Sequence, residues 1–297
     1  MHPLLEQILA AGPVITDGAW GTELQARGLG LGEFPDAWNL TQADRVTEVG
    51  QAYVQAGSQI ILTNTFGANR IRLGDHSAAD RVAEINARGV EISRQAAAGR
   101  ARVFASMGPT GKLLMTGEIT ADELRAAFSE QAQTLAQAGV EGLVLETMSD
   151  LEEAKLAVSA ARETGLPVIV SMVFDSGKNK DRTMMGTTPE QAAQALSEAG
   201  ADGIGANCGQ GIAGFIAICQ RLRAATDRPL WIKPNAGLPT MVEGRAQYNT
   251  RPEEFAGYLP ELLRAGANFI GGCCGTRPDF IAAVSRALQT GTTDRHR

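Results

Sequence analysis

The residues of this chain best suited to chemistry are its cysteines. Cys273 and Cys274 are adjacent, lie between Gly271-Gly272 and Gly275-Thr276, and follow the apolar run Ala267 to Ile270. A disulfide between neighbouring cysteines strains the peptide that joins them, so two thiols bracketed by glycine read as ligands turned toward one point by a backbone free to bend. Cys208 has a matching setting in Gly205-Ala206-Asn207-Cys208-Gly209, which also closes a short apolar run and opens into glycines. Three such thiols could hold a metal ion. Soft thiolates select zinc over magnesium or calcium, and three of them leave the fourth tetrahedral position open, as in catalytic sites. The plainer reading is that Cys208 and Cys273 are small residues buried in tight turns, as free cysteines often are. Cys219 falls in the helical pattern Ile212, Phe215, Ile216, Ile218, Cys219, Leu222 and is assigned to packing.

Zinc held by three thiolates carries a net charge of about −1 and is a poor source of hydroxide, but it suits a thiol substrate. A sulfur entering the open position loses its proton at neutral pH, where a free thiol of pKa about 8.5 is mostly protonated. Two carboxylates, Asp17 and Glu146, end β-rich runs and could hold an ammonium group; the alternatives are a turn residue before Gly18 and a surface acid. Gly18, Gly21, Gly108 and Gly111 would let backbone N–H groups approach a carboxylate closely. Together these parts describe a site for an amino acid that carries a thiol.

Such a site needs elements that bring distant residues to one place. Eight short β-rich runs alternate with segments of helical periodicity. They are Val14 to Asp17, Gln59 to Asn64, Arg102 to Met107, Gly142 to Glu146, Pro167 to Met172, Asp202 to Asn207, Pro229 to Pro234 and Asn268 to Gly272. Ala56-Gly57, Ala138-Gly139, Ala199-Gly200 and Ala265-Gly266 each precede a run, where a helix needs a left-handed C-cap. Thr120 with Glu123 has the spacing of a capping box before the helix Ala121 to Ala138. Eight αβ units in 297 residues, without a dinucleotide fingerprint, predict a single (β/α)8 TIM barrel of class α/β over 1–290, with a polar tail over 291–297. The long connections at 18–40, 175–188 and 235–251 then overhang one mouth, where barrels keep their chemistry.

Composition narrows the partners. At 44% hydrophobic and 20% charged, with no run near the roughly 18 apolar residues of a membrane span, the chain reads as globular and is expected in the cytoplasm. The short N-terminal apolar stretch has no basic region before it, which argues against a secretory signal. A net charge of −6 without a Lys/Arg cluster argues against nucleic acid and against an anionic membrane surface, leaving a small molecule as the expected partner.

The chain resembles the homocysteine S-methyltransferase family, including the homocysteine-binding module of cobalamin-dependent methionine synthase. The likeness is carried by Asp17-Gly18-Ala19-Trp20-Gly21-Thr22, Leu62 to Asn69, Gly108-Pro109-Thr110-Gly111, Glu146-Thr147, Asn207-Cys208, Pro234-Asn235-Ala236-Gly237 and Gly271 to Thr276, so it covers nearly the whole chain. It implies a zinc-dependent (β/α)8 barrel with Cys208, Cys273 and Cys274 as metal ligands and Asp17 and Glu146 at the homocysteine amino group. Gly18, Asn64 and Thr65 would shape the carboxylate site. The implied reaction methylates homocysteine to methionine. The donor would be a methylcobalamin-type corrinoid on a separate protein, or a small methylated compound of the S-methylmethionine or betaine type. Trp20, Trp38, Phe66 and Tyr248, on mouth loops, could offer a face to a cationic donor or simply pack those loops. Two other readings stand beside this one: a homocysteine-binding subunit of a split methionine synthase, inactive alone, and a metal-free barrel enzyme with a phosphate cradle at Gly271-Gly272.

Overall fold

The computed structural model describes residues 1–30, 32–242 and 245–293. In chain order the strands are β1 (Val14–Ile15), β2 (Ile60–Leu62), β3 (Arg102–Met107), β4 (Gly142–Met148), β5 (Val168–Met172), β6 (Gly203–Gly211), β7 (Leu230–Asn235), β8 (Thr240–Val242), β9 (Arg245–Gln247) and β10 (Ala267–Ile270). Eight form one parallel sheet in the order β1-β10-β7-β6-β5-β4-β3-β2, and a parallel bridge from Thr16 to Ile60 joins its ends. This is the expected (β/α)8 barrel, and each of the eight β-rich runs contributes one barrel strand. The long connection over 235–251 carries the antiparallel pair β8–β9. The last helix, Pro278–Thr293, runs past the expected boundary at 290, and 294–297 lie outside the described residues. Among the described residues no helix is long and apolar enough to cross a membrane.

Local chemistry explains the joints. Gly57, Gly139, Gly200 and Gly266 take φ between +92° and +103°, the left-handed cap conformation expected of them. Thr120 and Glu123 form the reciprocal capping box, and Thr188 and Gln191 form a second.

Side-chain alternation sorts the strands into two faces. Outward residues such as Ile61, Val103, Leu143, Val170, Ile204 and Ile232 pack under the helices. Inward residues Val14, Ile60, Leu62, Phe104, Val144, Ile169, Trp231 and Phe269 fill the barrel, and Leu5 of the N-terminal helix Pro3–Leu9 packs with them. Each such side chain contributes about 1.5–3 kcal/mol through burial. Trp231 takes space from its neighbour: a Cβ at Gly205, its partner on β6, would lie 2.0 Å from the Trp231 carbonyl oxygen. One pleat nearer the mouth, the same inward rows continue as Ser106, Glu146, Ser171, Asn207 and Lys233. The apolar plug therefore forms the base beneath a polar layer.

Candidate active site

The cysteines meet at the mouth. Order in the sheet puts β7 between β6 and β10, so Cys208 and the Cys273-Cys274 pair approach from strands two apart. The Cys208 and Cys274 sulfurs are 3.9 Å apart, and all three sulfurs lie within 4.8 Å of one another. A tetrahedral zinc with Zn–S near 2.3 Å requires sulfur separations of about 3.8 Å. The donor set and spacing thus fit such an ion with little movement.

The backbone is bent to achieve this. The pairing of β6 with β7 shifts between Asn207 and Gly211, and Cys208 takes a left-handed φ of 61°, a conformation that costs a non-glycine residue roughly 1–3 kcal/mol. Asn207, fully buried, holds the region together. Its Oδ1 accepts from the Thr147 N–H and the Ser171 hydroxyl, each at 2.8 Å, and its Nδ2 donates to Thr147 Oγ1 and toward Cys273 Sγ at 3.7 Å. The Tyr248 ring covers Gly275, where a Cβ would lie 2.3 Å from its Cγ, and burial with the nearby Cys274 pushes the Tyr248 hydroxyl's pKa up.

Three thiolates this close cannot all carry charge unless a cation sits among them. Hydrogen bonds from the Cys273 and Cys274 thiols push the Cys208 thiol down, and the same sharing pushes Cys273 and Cys274 up. Cys219 stands apart, in the helix Ile212–Ala225, with its thiol bonded to the Ala265 carbonyl and pushed up to about 12 by burial.

A cavity of about 400 Å³ opens beside the sulfurs. Its lining includes Cys208, Cys273, Glu146, Ser106 and Lys233 together with Trp20, Phe34, Phe66, Asp36 and Arg72. Burial raises the pKa of Glu146, partly offset by Lys233 and by the hydrogen bond from the Ser106 hydroxyl. Asp36, only 3% exposed, accepts from the Gly67 N–H at 2.9 Å, and burial pushes its pKa up to about 7 against the opposing pull of that bond and of Arg72.

Several expected contacts have other partners. Asp17 is fully buried beneath the cavity: Oδ1 pairs with Lys233 Nζ at 2.5 Å, and Oδ2 accepts from Trp20 Nε1 at 2.6 Å and the Leu62 N–H at 2.7 Å. It does not face an incoming ammonium directly. Asn64 lines the cavity, but both its N–H bonds go to Pro35 O and Asn39 Oδ1. Thr65 is buried, with its hydroxyl on Ser106 O and Thr63. Gly18 does line the cavity. The Gly271 and Gly272 N–H groups bond to Ile232 O and Asp17 O within the barrel, so neither is free to cradle a phosphate. Trp20 and Phe66 face the cavity, whereas Trp38 is buried with Nε1 on Glu33.

Lys233 is the residue that reading for motifs missed, while Asn207 stands in the Asn207-Cys208 motif without a role that the motif assigns. Burial disfavours the Lys233 ammonium, but the Asp17 and Glu146 carboxylates outweigh that and hold its pKa above the usual value. The available signal was alternation: in Leu230 to Asn235, Lys233 shares a face with Trp231 and must point into the barrel.

A family model described as homocysteine S-methyltransferase matches residues 14–288. Methionine synthase of Mycobacterium leprae (strain TN) is 32% identical over 306 residues, which takes in 96% of this chain and 25% of that protein. Methionine synthase of Mycobacterium tuberculosis gives the same figures. The chain therefore spans about a quarter of the length of these relatives. Among solved structures, the metallated form of the homocysteine methyltransferase MmuM from Escherichia coli superposes with a TM-score of 0.78 at 24% identity, covering 95% of this chain and 99% of that one. That likeness is one of fold.

Proposed function

Since the chain belongs to the homocysteine S-methyltransferase family, we propose that it binds homocysteine at the three-cysteine group and methylates its sulfur to give methionine. The observation that carries this reading is the approach of three sulfurs within 4.8 Å at the end of a cavity that also holds Glu146. Zinc held by Cys208, Cys273 and Cys274 would supply one open position and lower the pKa of an entering thiol. Glu146 accepts the substrate ammonium, and Asp17 acts from behind it through Lys233. Asn207 and Tyr248 keep Cys273 and Cys274 oriented. The substrate sulfur attacks the donor methyl carbon in line; the new S–C bond takes the sulfur's electron pair, and the pair of the breaking bond leaves with the donor. The donor is a methyl-corrinoid on a separate protein or a small methylated sulfonium or ammonium compound. Trp20, Phe34 and Phe66, which line the cavity, support the latter as aromatic neighbours for a cationic methyl group.

The test is methionine formation by zinc-loaded protein given homocysteine with methylcobalamin, S-methylmethionine or betaine. We expect product with at least one donor, one zinc per chain, and loss of that zinc in Cys273→Ser. No product from any donor, together with no homocysteine binding, refutes the assignment. The 32% identity to methionine synthases supports a second reading, a homocysteine-binding subunit of a split methionine synthase, inactive alone. That protein would bind homocysteine with release of about one proton, yet turn over only once a corrinoid protein is added.

A further inference from the structure

The polar layer contains a cation whose remaining hydrogen-bond donors the proposed chemistry leaves unused. Lys233 is 2% exposed, lines the cavity, and donates one hydrogen bond, to Asp17 Oδ1. An ammonium has three donors. Among the described residues no second acceptor lies within hydrogen-bond range of Nζ, although the Trp231 ring lies 5.9 Å below it. A buried charge with unfilled donors is costly unless a ligand completes it.

We infer that Lys233 is a specificity residue that binds the carboxylate of the acceptor amino acid. The inference rests on the function proposed above. An α-amino acid hangs its ammonium and carboxylate from one carbon, so the two subsites must adjoin. Glu146 and Lys233 both line the cavity and are close enough for their charges to interact. A zwitterion placed there meets an opposite charge at each end. The other polar side chains expected at the carboxylate, Asn64 and Thr65, already have their donors committed. Arg72 is the other cation lining the cavity, but its charge acts on Asp36 and its side chain lies beside Gly111, whereas the charge of Lys233 acts on Glu146. Asp17 fixes the Lys233 ammonium in place and leaves its remaining donors to the cavity.

The experiment measures, by calorimetry on zinc-loaded protein, affinity for homocysteine, for 3-aminopropane-1-thiol, which lacks only the carboxylate, and for 4-mercaptobutanoate, which lacks only the ammonium. Lys233→Met alone would leave Asp17 buried and unpaired, so the decisive variant is Lys233→Met with Asp17→Asn, which removes both charges at once. The parent protein should prefer homocysteine to the aminothiol by about 10- to 100-fold, the range for hydrogen bonds to charged groups. The double variant should lose most of that preference while keeping its preference for homocysteine over 4-mercaptobutanoate, and Lys233→Arg should retain both. If the double variant weakens both amine-bearing ligands equally, or if Arg72→Met abolishes the preference instead, the inference is overturned. If the parent binds none of the three thiols, the proposed function fails and the inference fails with it.

Discussion

Asp36 offers a test in which the magnitude comes directly from the structure. Its carboxyl borders the cavity, is almost fully buried, and titrates at about 7 where an ordinary aspartate has 3.8. Because the folded-state pKa is raised, the native protein keeps a proton that the unfolded chain gives up. The associated stability is fully present below about pH 4, is lost progressively as pH rises toward 7, and changes little beyond. Roughly three pKa units at 1.36 kcal/mol each make a total of about 4 kcal/mol. About 1.6 kcal/mol of this is already lost at pH 5 and nearly all at pH 8, so the difference between those two conditions is about 2.5 kcal/mol. Asp36→Asn keeps an acceptor for the Gly67 N–H and removes the ionisation. Urea unfolding of parent and variant at pH 5 and pH 8 should show the variant gaining about 2–3 kcal/mol on the parent between the two conditions. Groups that titrate elsewhere affect both proteins and cancel in the comparison. A variant-minus-parent stability difference that stays constant with pH, or falls toward pH 8, would show that Asp36 is not held protonated by burial.

Two further perturbations probe the barrel and the site separately. Gly205→Ala drives a Cβ against the Trp231 carbonyl, a backbone atom that cannot move aside without breaking the β6–β7 pairing; chemical denaturation should show a loss of at least about 3 kcal/mol, and near-parental stability would mean the interior is looser than described. Glu146→Gln removes the charge assigned to the substrate ammonium. It should raise KM for homocysteine by about 10- to 100-fold without lowering Tm, since burial already disfavours the ionised carboxyl; an unchanged KM would remove Glu146 from substrate binding.

The sequence by itself determined the barrel and the metal-ligand candidates, because both are written in local chemistry. Eight β-rich runs separated by helical periodicity, with Ala-Gly caps at the joints, leave few alternatives to a closed parallel sheet. Thiols are rare and stand out at the ends of Asp202 to Asn207 and Asn268 to Gly272. Partner choice within the polar layer was not written there. Asp17 and Glu146 look equivalent in sequence, each an acid ending a run, yet one lies buried against Lys233, Trp20 and Leu62 while the other borders the cavity. Asn64 and Thr65 carry suitable donors, but Asn39, Pro35 and Ser106 claim them from other parts of the chain. Closure of the sheet decided these matters, because a contact such as Asp17 with Lys233, 216 positions apart, depends on which strands become neighbours and which side chains share a pleat.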